Sequence, residues 1–286
     1  MTEQTQNYQN QDLGISLQVK IGQLAPGELL KDKVVFITGA TKGIGYHIAK
    51  KCVEQNARVI ITGRNPAELT QVQKQLGERC KALQFDVLDF ERYSSVFQVC
   101  EDFFGPINCL VNNAGISLHE GDYMRVTEQS WDAQMDTNLK APYLLTQAWL
   151  RYYRQSSMRS GRIVMMASDT SGMGSTLPYG ITKAGIASLT RGLAKHVILE
   201  GIRVNAIAPG TTKTAMTDDF THGEIVRGTT EGKRVLFPEE IGETAVFLLS
   251  DLSTCMSGQV FGCTEANICF DNSQWNNLSL EMETNP

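Results

Sequence analysis

Tyr179 and Lys183 stand four residues apart in a run of small and apolar residues, Leu177 to Leu199, that reads as one long helix. That spacing puts a phenol and an ammonium on one helical face, one turn apart, close enough for the cation to favour the phenolate. The chemistry on offer is proton transfer from a phenol with its own tuner. The same pair also arises as a packed tyrosine beside a snorkelling lysine, so the elements around it have to decide.

Upstream, Val34-Val35-Phe36-Ile37 is an apolar run of strand length that feeds into Thr38-Gly39-Ala40-Thr41-Lys42-Gly43-Ile44-Gly45. A strand buried on both faces has this composition. Ile44, Ile48 and Cys52 then follow at helical spacing, a stripe suited to packing on a sheet. Glycines in such a turn let the backbone approach a pyrophosphate, and the helix N-terminus offers unpaired N–H groups. A turn that needs glycine only for its dihedrals would look similar; the strand-turn-helix context favours dinucleotide binding. A second strand, Ala57 to Thr62, ends at Gly63-Arg64, with no acid where a ribose 2′-hydroxyl would be held. Arg64 and Lys42 suit a 2′-phosphate; the alternative is two solvated surface cations.

Pro66 opens a helix to about Gly77, and a strand from Ala82 to Phe85 ends at Asp86-Val87, where a carboxylate can accept from an adenine amino group. A helix from Glu91 to Phe104 leads to the strand Ile107 to Val111 and to Asn112-Asn113-Ala114-Gly115. This β-α rhythm predicts an α/β fold with a doubly wound parallel sheet in three layers, Rossmann-like, in a single domain.

Glu128 to Arg154 reads as a long helix with apolar residues on more than one side; within it Asn138 either caps or bonds backbone, or locally breaks the helix and holds a water. The strand Arg162 to Ala167 delivers Ser168 to its carboxyl end, where ligands bind such sheets. Ile202 to Ala208 is a sixth strand, followed by Pro209-Gly210-Thr211-Thr212-Lys213-Thr214 and a polar segment to Arg234 that suits a mobile lid. Pro238 starts a last helix, and a strand near Gln259 to Phe261 completes the sheet.

Composition excludes other classes. With 26 Lys plus Arg against 31 Asp plus Glu and no basic run, nucleic-acid binding has no support. Seven cysteines without a CxxC pair fit reduced thiols and a cytoplasmic location rather than disulfides or zinc, and the histidines share no metal spacing. No apolar run reaches membrane-spanning length. Residues 1–30 read as an N-terminal extension whose first twelve residues, Gln/Asn-rich, are expected to be disordered.

Taken together, these motifs resemble the short-chain dehydrogenase/reductase family from about Lys31 to Phe261, with the catalytic domain set at 31–267 and a tail at 268–286. The resemblance rests on Thr38 to Gly45, Asn112 to Gly115, Asn138, Ser168 with Tyr179-xxx-Lys183, and Pro209-Gly210 after Arg203-Val204-Asn205. It implies Tyr179 as general acid/base, Ser168 on the substrate oxygen, Lys183 on the nicotinamide ribose and lowering the tyrosine pKa, and Asn138 in a proton relay. It also implies NADP(H), a small carbonyl or alcohol substrate, and a homotetramer or homodimer. Gly180, Ala184, Gly185, Ala187 and Ser188 would allow the close helix approach such pairing needs. The alternatives are reduction of 3-oxoacyl groups on a carrier protein and a non-catalytic dinucleotide sensor. The chain departs from the family after its last strand, where Thr264-Glu265-Ala266-Asn267 replaces the usual Asp-Gly-Gly. Candidate pocket residues are His119, Met173, Met216 and Phe220.

Overall fold

A computed structural model of the chain describes residues 2–227 and 232–266. The expected tail at 268–286 and the middle of the expected lid lie outside the described residues.

In chain order the elements are β1 (Thr2–Asn10), β2 (Ile15–Gln23), β3 (Val34–Ile37), α1 (Gly43–Glu54), β4 (Arg58–Gly63), α2 (Pro66–Leu76), β5 (Cys80–Gln84), α3 (Val96–Phe104) and β6 (Cys109–Asn112). They continue with α4 (Glu128–Met135), α5 (Ala141–Gln155), β7 (Gly161–Met166), α6 (Pro178–Val197), β8 (Ile202–Pro209), α7 (Asp218–Thr221), α8 (Pro238–Leu249) and β9 (Val260–Cys263). Strands β3 to β9 form one seven-stranded parallel sheet in the order β5-β4-β3-β6-β7-β8-β9. Strand order reverses between β3 and β6, so the crevice for a ligand opens beyond their carboxyl ends, at Thr38 and Asn113.

Each central strand is apolar because each is covered twice. Val35, Ile37, Val59, Ile61 and Val111 face a core shared with α1, α2 and α8. Phe36, Ile60, Leu110, Ile163 and Val204 face the other core, with α3, α5 and α6. Trp149, wholly buried in that second core, donates its indole N–H to the Ile107 carbonyl at 3.0 Å. Gly161 is required beneath it: a Cβ there would sit 2.8 Å from Trp149 Cη2 and 3.1 Å from Tyr153 Cε2.

Two expectations are corrected. The first residues are not a disordered tail. β1 and β2 pair antiparallel from Thr2↔Gln23 to Asn10↔Ile15, around a turn closed by Gly14 at φ +63°. The Gln/Asn residues satisfy a backbone ladder rather than a core, and Val19 and Ile21, both 5 % exposed, bury one face of the hairpin. At its end Gln23 Oε1 accepts from the buried Lys51 ammonium, which also meets Glu54 and Glu243 on α1 and α8. The ring of Tyr8 lies against that of Phe237, their centroids 6.1 Å apart.

The second correction concerns residues 128–154, which do not form one α-helix. A π-helical turn, Asp136–Lys140, separates α4 from α5 and carries Asn138 at its middle. Such single turns commonly mark functional positions. Some of the small residues of α6 serve contacts within the chain, whereas Ser188 is exposed and Ala184 half-buried. The Cβ position of Gly185 is 3.0 Å from Leu139 of the π turn, that of Gly180 faces Ser175, and Ala187 is buried.

Candidate active site

The site is built where β3, β6, β7 and β8 end and α6 passes over them. β7 runs into Ala167-Ser168, and Ser168, 5 % exposed, ends the strand facing the N-terminal half of α6. Pro178 at the first turn of α6 fixes the helix start just ahead of Tyr179. One turn on, Lys183 is 6 % exposed and donates from Nζ to the Met166 carbonyl at 2.9 Å. Its ammonium lies over the Tyr179 ring, 5.5 Å from the centroid.

Asn138 is held by both ends of its amide: Oδ1 accepts from Ile116 N and Nδ2 donates to Ile116 O, each at 2.8 Å. Nδ2 also reaches Thr182 Oγ1 at 3.4 Å, and Thr182 donates to the Tyr179 carbonyl at 2.6 Å. Of the two readings of Asn138, the structure shows the backbone-bonding one, within a broken helix. Gly115 completes this floor. A Cβ there would lie 3.2 Å from Asn138 Oδ1 and 3.5 Å from Lys183 Nζ, so the glycine lets the backbone pass close to both polar groups. Ser168, Tyr179, Lys183, Asn138 and Gly115 are thus brought together from four segments: the end of β7, α6, the π turn and the loop after β6.

The phosphate turn is equally specific. Gly39 and Gly43 have φ of +62° and +56°, a region side chains with Cβ avoid. A Cβ on Gly45 would collide with Asn113 Nδ2 and Gly39 O, whereas Asn113 as it stands donates to the carbonyls of Thr38 and Gly39, each at 2.9 Å. Asn113 therefore shapes the turn. Thr38 Oγ1 accepts from Asn113 N and Ala114 N, both at 3.0 Å, binding the ends of β3 and β6 together. Lys42 precedes α1 without a side-chain cap, and no acid occupies the helix's first turn. The backbone N–H groups of Gly43, Ile44 and Gly45 are therefore left to an anion. Thr214 faces this turn, its Cγ2 3.4 Å from the Cβ position of Gly43. Thr212 is buried and donates to the Gly210 carbonyl, and Gly210 N is tied to the Cys263 carbonyl, so the loop after Pro209 is fixed to the sheet's end.

Arg64 and Lys42 are both exposed, and Thr41 Cγ2 lies 2.7 Å from the Cβ position of Gly63, which brings the turn and the end of β4 together. Asp86 Oδ1 accepts from Leu88 N in a local turn ahead of the Val87 contact region. Of the candidate pocket residues, His119 bonds through Nε2 to the Met216 carbonyl at 2.9 Å, and Met173 and Met216 are more than a third exposed. Phe220 lies on α7 and its side chain falls outside the described residues.

Electrostatics correct one expectation. Burial holds the Tyr179 phenol above its ordinary range; the neighbouring Ser168 hydroxyl pulls it down and the Asp169 carboxylate pushes it up. The Lys183 ammonium lies over the ring and donates to Met166 O. Burial also lowers the Lys183 ammonium, to about 8. Asp169 is the residue sequence reasoning missed. It follows Ser168 directly, and Ser168 Oγ donates to its Oδ1 at 2.8 Å. The available signal was an acid adjoining a serine at the sheet's carboxyl edge.

A parallel seven-stranded sheet with a glycine turn at the switch point and a Ser-Tyr-Lys cluster above it defines a dinucleotide-dependent oxidoreductase. The family model described as enoyl-(acyl carrier protein) reductase matches residues 39–263. The chain is 36 % identical over 241 residues to a 3-oxoacyl-(acyl-carrier-protein) reductase of Chlamydia trachomatis, covering 81 % of this chain and 96 % of the relative. It is 34 % identical over 230 residues to an uncharacterized oxidoreductase of Staphylococcus epidermidis, covering 78 % and 94 %. Among solved structures it is similar to a 3-ketoacyl-(acyl-carrier-protein) reductase from Brucella melitensis complexed with NADH, with TM-score 0.78, 26 % identity, and 84 % and 99 % of the two chains covered. The chain belongs to the short-chain dehydrogenase/reductase family.

Proposed function

We propose that this member of the family is an NADP(H)-dependent oxidoreductase that interconverts a ketone and a secondary alcohol on a small or medium organic substrate, with Tyr179 as general acid/base. The observation that carries the reading is the convergence of buried Ser168 and Lys183 with the half-buried Tyr179 on the crevice floored by Gly115 and Asn138. The nicotinamide, when bound, supplies or accepts the hydride. The chain's residues do the rest. Gly39, Thr41, Lys42, Gly43, Ile44 and Gly45 would hold the pyrophosphate, Asp86 and Val87 the adenine, and Asn113, Ala114, Gly115, Pro209, Gly210, Thr212 and Thr214 the rest of the cofactor.

A ketone accepting hydride becomes an alkoxide, so a donor and a proton must meet the oxygen as charge develops. Tyr179 delivers that proton, and in the reverse direction its phenolate takes it from the alcohol. Lys183, ionised below about pH 8, adds a positive field at the crevice floor. Arg64 and Lys42, exposed at the ends of β4 and of the turn, support the choice of the 2′-phosphorylated cofactor. Among the described residues no helix is long and apolar enough to cross a membrane. A cytoplasmic location and a homotetramer or homodimer are part of the same proposal. The relatives named 3-oxoacyl-(acyl-carrier-protein) reductases favour a second substrate reading, a 3-oxoacyl thioester.

The test is a turnover screen of ketones, secondary alcohols and a 3-oxoacyl thioester with NADPH and NADH, in wild type and Arg64→Ala. The reading expects kcat/KM at least tenfold higher with NADPH, one charge-assisted bond contributing about 1.5 to 3 kcal/mol. An unchanged cofactor ratio in Arg64→Ala overturns the role of Arg64, and no turnover of any substrate overturns the reading itself.

A further inference from the structure

Ser168 has one hydroxyl hydrogen, and the structure commits it. Ser168 Oγ donates to Asp169 Oδ1 at 2.8 Å, and the same carboxylate oxygen accepts from Thr170 N at 2.8 Å, which fixes the carboxylate in plane beside the serine. Thr170 N also approaches Ser168 Oγ itself at 3.4 Å. The other oxygen, Oδ2, lies 3.8 Å from the Cβ position of Gly210, so the carboxylate spans the gap between the serine and the loop leaving β8. A carboxylate is acceptor-only, so while this bond stands Ser168 shows the crevice lone pairs and no proton.

We propose that Asp169 is a positioning residue: by holding the Ser168 hydrogen it presents Ser168 to the substrate oxygen as an acceptor, which matches the site to an alcohol more than to a ketone. The inference rests on the oxidoreductase reading above and deepens it. A ketone oxygen needs a donor, and Ser168 becomes one only by giving up a charge-assisted bond. An alcohol brings its own hydrogen and meets a ready acceptor. Tyr179 is then left as the one proton donor to a ketone at this site.

Asp169 also acts on Tyr179 through its charge, which opposes the phenolate, while the Ser168 hydroxyl beside the phenol favours it. The other groups around the phenol do not supply this effect. Lys183, on the same helix, is turned to the Met166 carbonyl. Asn138 and Thr182 are neutral, and Asp136 and Lys140 of the π turn pair with each other at 3.0 Å at the surface. His119, in the loop after β6, is bonded to the Met216 carbonyl.

Two substitutions separate the charge from the hydrogen bond. Asp169→Asn keeps an acceptor for Ser168 Oγ and Thr170 N and removes the charge, while Asp169→Ala removes both. Tyr179 is titrated in the full-length, cofactor-free protein by the tyrosine ring-carbon NMR signal, assigned by its loss in Tyr179→Phe, with circular dichroism confirming the fold of each variant. Wild type should titrate above the ordinary tyrosine value of about 10. Asp169→Asn and Asp169→Ala, which both remove the charge, should both titrate lower than wild type. With a matched alcohol and ketone pair, Asp169→Ala should lower the ketone KM relative to the alcohol KM by about three- to tenfold, the worth of one freed hydrogen bond. A Tyr179 titration unmoved in both variants overturns the proposal. An unchanged KM ratio in Asp169→Ala overturns the hold on Ser168. If wild type turns over no substrate, the oxidoreductase reading fails, while the titration still decides whether Asp169 governs the Ser168–Tyr179 pair.

Discussion

Lys183 should make the protein less stable at neutral pH than at alkaline pH, by an amount that its substitution removes. Its ammonium is buried, with the Met166 carbonyl as hydrogen-bond acceptor, and burial brings its pKa from 10.5 to about 8. Between those values the unfolded chain binds the proton that the folded one has released, so stability rises with pH across that window. At about 1.4 kcal/mol per pH unit, the cost is about 3 kcal/mol at pH 7, and about 2.5 kcal/mol of it is recovered by pH 10. Lys183→Met keeps the volume of the chain and removes the charge. It also leaves Met166 O without its donor, a cost of about 1–3 kcal/mol that does not vary with pH. The measurement is therefore the difference between wild type and variant in urea unfolding free energy, followed by tryptophan fluorescence at fixed protein concentration from pH 7 to 10. Groups that titrate in both proteins cancel. The difference should move in favour of wild type by about 2.5 kcal/mol across the range. Parallel curves would show that the Lys183 ammonium is not destabilised by burial, and the reasoning about its field at the crevice floor would fall with it.

Three other outcomes follow from packing. Ile21→Asp should undock the N-terminal hairpin and cost about 1.5–3 kcal/mol, read as a lower urea midpoint; an unchanged midpoint would mean that the buried face of β2 contributes nothing. Gly161→Ala should cost about 1–3 kcal/mol and alter the emission of Trp149, whose Cη2 a new Cβ would meet at 2.8 Å; normal stability and emission would contradict the packing described. Arg234, in the segment before α8, joins Glu240 on α8, with two bonds of 2.8 Å, and Glu265 after β9, at 2.7 Å. Glu265→Gln should therefore speed chymotryptic cleavage between residues 217 and 236 several-fold, and an unchanged rate would show that Glu240 alone holds the segment.

Much of the fold was legible because a parallel sheet covered on both faces writes itself as short apolar runs, and Val34–Ile37 and Ile202–Pro209 stand close to where their composition placed them. The cluster of Ser168, Tyr179 and Lys183 was legible for a related reason: strand ends and helix periodicity fix which side chains share a face. Three things were not. The hairpin of β1 and β2 is held largely by backbone bonds, which polar Gln and Asn neither favour nor forbid; the alternation of Ile15, Leu17, Val19 and Ile21 was its signal. At Asn138 the amide suggested a local break as one of two readings, but not its π form, which goes with a tertiary bond to Ile116 that local propensity does not encode. The direction of the Tyr179 pKa is set first by burial, and spacing alone gives proximity without burial.

The central claim is that Tyr179 carries the proton in a hydride-transfer reaction. The most direct measurement compares wild type and Tyr179→Phe on one substrate found in the screen, recording kcat/KM together with NADPH affinity by fluorescence titration. The account predicts a loss of at least 10²-fold in kcat/KM, with NADPH binding changed by no more than a few-fold, because the phenol supplies a proton and little cofactor contact. A phenylalanine variant that keeps more than about a tenth of the wild-type rate would contradict it.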